Sequence, residues 1–166
     1  HIVDHSNAFY EAATAEPTLV TCHDLLAVRG ALGEDTDCPA SCAGRILQRL
    51  ILRGLRRADF VVCVSAATRN DLLRLTDSSL ETKSSVVRQG LNHPYRRLSQ
   101  NEADVRLAQA PELDAARPFV LCVGLNLKRK NREGALRIIA QIRDEWPGQI
   151  AFAGEPLDDA TFALAQ

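Results

Sequence analysis

The chain contains no methionine, even at its first position. It has almost no net charge, since 20 Lys and Arg against 21 Asp and Glu leave -1. That balance gives no reason to expect a nucleic-acid partner. No run of about 18 apolar residues occurs, so no membrane-spanning helix is expected. Neither G-x-G-x-x-G nor a P-loop is present, which leaves the common dinucleotide and nucleoside-triphosphate readings without a motif. Internal repeats and low-complexity tracts are absent, and the 7 Pro and 9 Gly are too few for wholesale disorder. The five cysteines are an odd number and the residues given show no leader pattern, so a reducing, cytoplasmic compartment is expected. The opening "HIVDH" reads as the start of a strand, and the closing "PLDDATFALAQ" stops inside a helical pattern. We therefore expect a fragment, cut at both ends.

Apolar residues make up 46% of the chain, enough for a core. Short apolar runs at "HIVDH", "PTLVTCHD", "DFVVCVS", "SSVVRQG", "FVLCVG" and "QIAFAG" read as strands. Most are continuous rather than alternating, the pattern of parallel strands covered on both faces. Helical patterns at 44–58, 66–75 and 132–146 lie between them. The expected fold class is therefore α/β, with open parallel sheets. Ser65 and Asn131 stand where helix caps belong, "SQNE" from Ser99 reads as a capping box, and Pro147-Gly148 as a helix stop. Gly90, in "RQGLNHP", permits positive φ in a tight turn. The segment from Pro94 to Pro118 shows no strand pattern and reads as a connection between two sheets.

Ligands of open α/β sheets bind beyond the carboxyl ends of the strands. There the chain places His5, Ser6 and Asn7, then His23 and Asp24, then Ser65, and finally Gly124, Asn126 and the cluster Lys128, Arg129, Lys130 and Arg132. The cluster suits an anion. Lys130 is a mobile point charge, Arg129 a planar fork, Gly124 leaves room for close approach, and helix-start amides point the same way. Its plainer reading is a solvated basic loop. His23 can hydrogen-bond a sugar hydroxyl or simply a neighbouring group of the protein. Cys38 and Cys42, with His23, invite a metal reading, but the spacing is wrong for a zinc knuckle and no second pair exists, so no metal is expected. Between Arg45 and Ala58 a helix would gather Leu47, Leu50, Ile51, Leu55 and Ala58 on one face, with Arg45, Arg49, Arg53 and Arg56 opposite. Such a helix either packs on a sheet with a wet side or lies on an anionic membrane surface.

In their order these stretches resemble the retaining glycosyltransferases of family 4, which have the two-Rossmann-domain GT-B fold. The carriers are "PTLVTCHDLLAVRGALGE", "RRADFVVCVSAATRNDLLRL" with the pattern A-D-x-V-x-x-V-S-x-x-T, "SSVVRQGLNHPY", "FVLCVGLNLKRKNREGALRII" and "IAFAGEPL". The resemblance implies parallel-sheet, Rossmann-like elements from two GT-B domains, both incomplete. Residues 1–93 would be the end of the acceptor-side domain, 94–117 a connection with a short helix, and 118–166 the start of the nucleotide-sugar domain. It implies sugar transfer from a nucleotide-diphosphate sugar to a glycan or lipid-linked acceptor, with retention and without a metal or other cofactor. Lys130 matches the family's diphosphate lysine, Arg129 the basic residue often before it, Gly124 the glycine of the strand-end turn, and His23 a histidine near the transferred sugar. His5, Asn7, Asp24 and Ser65 fall on the acceptor side. The chain departs from the pattern in having Leu125 where many members carry Arg. Either one phosphate contact is lost, or Arg129 and Asn126 replace it. The family's Glu, seven residues, Glu motif lies beyond Gln166, so these 166 residues are expected not to turn over alone. Competing readings are a nucleotide-sugar epimerase of related fold and a non-catalytic module that binds a phosphate ligand or a protein.

Overall fold

The structure, a computed structural model, describes residues 1–110, 112–114 and 116–166. Pro111 and Ala115, in the segment read as a connection, lie outside the described residues. The chain divides into two compact units, His1–His93 and Pro94–Gln166. Both are mixed α/β with short parallel sheets.

In the first unit, β1 (Leu19–Cys22), β2 (Phe60–Cys63) and β3 (Ser84–Val86) form a parallel sheet in that order. Crossovers run through α1 (Leu26–Ala31) and α2 (Cys42–Arg57), then through α3 (Ala66–Leu75). Val20 and Cys22 of β1 pair with Val61 and Cys63 of β2, and all four are fully buried. The core around them takes in Leu25, Val28, Ile51, Leu55, Leu72 and Leu80. α3 spans the expected residues, and the Ser65 hydroxyl accepts from the Thr68 amide at its start.

Three readings need correction here. "HIVDH" does not form a strand. Only Ile2 bridges Val20, after which the Asp4 carboxylate accepts from the Ser6 amide at 2.7 Å and caps a 3-10 helix, His5–Ala13. The cap turns the backbone before a second pair can form. Gly90 is not among the glycines with positive φ, and a Cβ added there would meet nothing within 4 Å. The chain after β3 stays open there, so no turn demands a glycine. Third, α2 buries Ile51, Leu52, Gly54 and Leu55, while Leu47 and Leu50 of the expected inner face are exposed, as is Ile46. The cause is the neighbour. The 3-10 helix lies against the carboxyl-terminal half of α2, so close that a Cβ on Gly54 would collide with the Ala8 carbonyl.

In the second unit, α4 (Gln100–Leu107) begins with the expected capping box between Ser99 and Glu102. Strands β4 (Phe119–Gly124) and β5 (Gln149–Gly154) pair in parallel along their whole length, joined through α5 (Arg132–Ile142) and followed by α6 (Asp159–Ala165). α5 ends at Ile142, four residues short of the expected Trp146, and a last turn closes through the Trp146 amide on the Ile142 carbonyl. Phe119, Val120, Leu121 and Val123 of β4 are exposed, against the expectation of a strand covered on both faces. Helices α5 and α6 leave it uncovered, and Ile138, Phe162 and Leu164 on them are exposed as well.

Candidate functional site

At the carboxyl edge of β4, Gly124 has φ 138°, in the region a side chain rarely adopts. A Cβ there would also lie 2.9 Å from the Cε of Lys130. The backbone is what requires glycine here, since the end of the lysine side chain above it can move aside. Lys128, Arg129 and Lys130 form a single 3-10 turn with exposed side chains. The side chain of Lys130 has no hydrogen bond or ion pair among the described residues. Its ammonium therefore stands over the strand end, open to an anion. Next to it Asn131, at φ 46°, caps α5 with its own carboxamide, which accepts from the Gly134 amide at 3.2 Å. Part of the helix-start donor set that would favour an anion is satisfied internally.

Asn126 is held by the protein. Its amide donates to Glu155 Oε2 at 2.9 Å, and its side-chain Nδ2 to the Pro156 carbonyl at 2.5 Å. Its Oδ1 accepts from Arg132. Arg132 is 6% exposed, and its guanidinium also donates to the carbonyls of Gly124 and Glu155. Its Cζ lies 5.5 Å from the centre of the Phe152 ring. Sequence reasoning placed Arg132 in the cationic cluster. The structure makes it the buried tie between the two strand ends, and no pattern in "KRKNRE" separates it from its neighbours. A cavity of about 230 Å³ opens beside it, between the starts of α5 and α6, lined by Asn126, Lys128, Arg132, Glu133, Asp158 and Thr161 among others. The Asp158 carboxyl is held below its usual range by hydrogen bonds from Thr161, which it caps. With two carboxylates and two cations on its wall, this cavity is electrostatically mixed. The open positive charge is at Lys130, over Gly124.

In the first unit the residues predicted at strand ends serve largely to tie those ends together. His23 Nε2 meets the Val3 carbonyl at 3.1 Å, and its Nδ1 meets Gln89 Nε2 at 3.2 Å. A carbonyl only accepts, so Nε2 carries the proton and Nδ1 accepts from the amide. Both ring nitrogens are thereby occupied. Gln89 was not foreseen, because nothing local marks a residue 66 positions away as the partner. Asp24 accepts from the Leu26 amide at 3.1 Å and caps the turn into α1. The Ser65 hydroxyl lies 2.9 Å from Thr68 Oγ1, which donates to the His23 carbonyl. Asn7 is exposed on the 3-10 helix. His5 is half-buried, with Nδ1 enclosed, without a hydrogen bond and 3.6 Å from Asp4 Oδ1. Burial pushes its pKa down, against the pull of Asp4 and Asp24. Among the described residues, no three His, Cys, Asp or Glu side chains gather as a metal site would require, Cys38, Cys42 and His23 included.

Searches against protein-family models and against curated proteins find no match to this chain.

Proposed function

We propose that the chain is part of a retaining glycosyltransferase of the GT-B type, similar to family 4. In this reading Pro94–Gln166 supplies the donor side and His1–His93 the acceptor side. The observation that carries the reading is the Lys130 ammonium, standing without a protein partner over Gly124 at the carboxyl end of a parallel strand. Breaking the bond between the anomeric carbon and the phosphate oxygen leaves its electron pair on the diphosphate. A fixed cation at that place lowers the energy of the growing charge. Arg129, one residue earlier on the same 3-10 turn, adds a second cation there. The donor is a nucleotide-diphosphate sugar and the acceptor a glycan or lipid-linked sugar. Of the predicted donor contacts, Asn126 acts by shaping the loop, since its side chain is already bonded on both sides.

Titration of the chain with uridine, guanosine and adenosine diphosphates tests this. One of them is expected to bind, and Lys130→Ala to weaken it by roughly 10–100-fold, the loss of a charge-assisted hydrogen bond of about 1.5–3 kcal/mol. Equal affinity in both proteins would return Lys130 to the solvated loop. A second reading, a non-catalytic module for a phosphate ligand, is favoured by His23, whose ring has no nitrogen left for a sugar. It predicts the same binding but no effect of His23→Ala on transfer once the chain is assayed in a protein that turns over.

A further inference from the structure

We propose that the outward face of α2 is a docking surface for an anionic lipid bilayer. From Cys42 to Arg57 the helix carries five arginines and no acid. Arg56 is tied to the Leu75 carbonyl and Asp77, and Arg57 to Glu11. Arg45, Arg49 and Arg53, one helical turn apart, are exposed, and their guanidiniums have no ion pair or hydrogen bond among the described residues. Beside that ridge stand Ile46 and Leu50, with 61% and 45% of their surfaces exposed, while Leu47 lies farther round the helix. The buried face is complete without them, since Ile51, Leu52 and Leu55 meet the core.

The occupant must therefore answer two demands along one helix, negative charge for three unpaired guanidiniums and apolar cover for two large aliphatic side chains. An anionic bilayer meets both, because its phosphates lie in a plane directly above hydrocarbon. Arginine suits that boundary, since its stem lies along the apolar layer while the guanidinium stays with the phosphates. Nucleic acid would use the cations and leave the aliphatics wet. Next to the face, a groove of about 230 Å³ between the 3-10 helix and α2 sets Phe9 and Leu50 beside Arg53, while Arg57 on the same wall is paired with Glu11. No helix among the described residues is long and apolar enough to cross a membrane, so this contact is one of lying on the surface.

Co-sedimentation with vesicles tests the surface, and nucleotide binding does not enter the readout. The chain is expected to pellet with vesicles of equal parts phosphatidylcholine and phosphatidylglycerol, to stay in solution with phosphatidylcholine alone, and to be released by salt. The triple variant Arg45→Gln, Arg49→Gln, Arg53→Gln should bind roughly a hundredfold more weakly, at about fivefold per cation. The double variant Ile46→Ser, Leu50→Ser should also lose binding, by about tenfold or more. All substituted positions are exposed, and circular dichroism verifies that the variants fold. The proposal is overturned if the chain stays in solution with anionic vesicles or pellets equally with neutral ones. It is also overturned if the double variant binds undiminished, which would assign a soluble polyanion. A lipid-free dimer that the double variant dissolves would assign the face to a second copy of the chain.

Discussion

The two units close their sheets by different physics. In His1–His93, thirteen buried residues form one continuous apolar cluster, and every strand of the sheet contributes a buried residue. In Pro94–Gln166, Leu136 is the one large aliphatic among the described residues that is buried, while most of β4 is exposed. There the strand ends are joined through Arg132, which donates to oxygens on both connecting loops. Apolar burial is non-directional and spreads over a whole sheet. A hydrogen-bonded cation is directional, and it fixes one place well. The place it fixes is the carboxyl edge where Lys130 stands, at the proposed donor site.

The largest effect expected from this contrast is that of Leu55→Ala. Leu55 is fully buried in the first unit, and its truncation should cost about 2–5 kcal/mol, the usual range for a large core aliphatic. Amide exchange should then quicken in β1 and β2 and leave β4 and β5 as they were. Equal quickening in all four strands would break the comparison. Next comes Arg132→Met, which keeps much of the volume and removes the donors. A lost charge-assisted network should cost about 2–3 kcal/mol, with the exchange of β4 and β5 most affected. Leu136→Ala serves as its companion. If Leu136→Ala loosens those strands more than Arg132→Met does, the second unit is held by apolar burial after all.

Acid provides the finest discrimination. Burial holds His5 neutral below its ordinary imidazole pKa of 6.5, so the unfolded chain binds the extra proton first. The stability this residue contributes is present above 6.5 and is lost as pH falls through its depressed folded value. Glu102 behaves in the same sense over a lower window. Arg96, then the Ser99 amide and hydroxyl, pull its carboxyl down to about 2 from an ordinary 4.5. The contribution of the α4 capping box is therefore present above 4.5 and is lost between there and about 2. On acidification the amides of the 3-10 helix should lose protection before those of α4. His5→Gln should remove the earlier step, and the reverse order of loss would contradict the assignment.

Much of the local architecture was legible beforehand. Ser65, Ser99 and Asn131 were recognisable as caps because a cap and the amide it serves are three residues apart, within reach of any short window. The strand cores "LVTC", "FVVC" and "FVLCVG" were visible as apolar runs bounded by polar residues. The failures arose where distant segments meet. The first run was halted by Asp4 after a single bridge, and the inner face of α2 was set by the 3-10 helix at Gly54. His23 was marked as a strand-end histidine, yet its two partners, Val3 and Gln89, come from either side of the chain.

By itself, the sequence determined the α/β class, the strand ends and the positions of the polar side chains that follow them, because all of these depend on neighbours a few residues away. Only the tertiary structure decided which of those side chains are spent on the protein, as Asn126, His23 and Arg132 are, and which remain available, as Lys130 and the arginine ridge of α2 do. The reason is that a hydrogen bond is consumed by whatever group lies within about 3 Å, and folding chooses that group from the whole unit rather than from the adjoining chain.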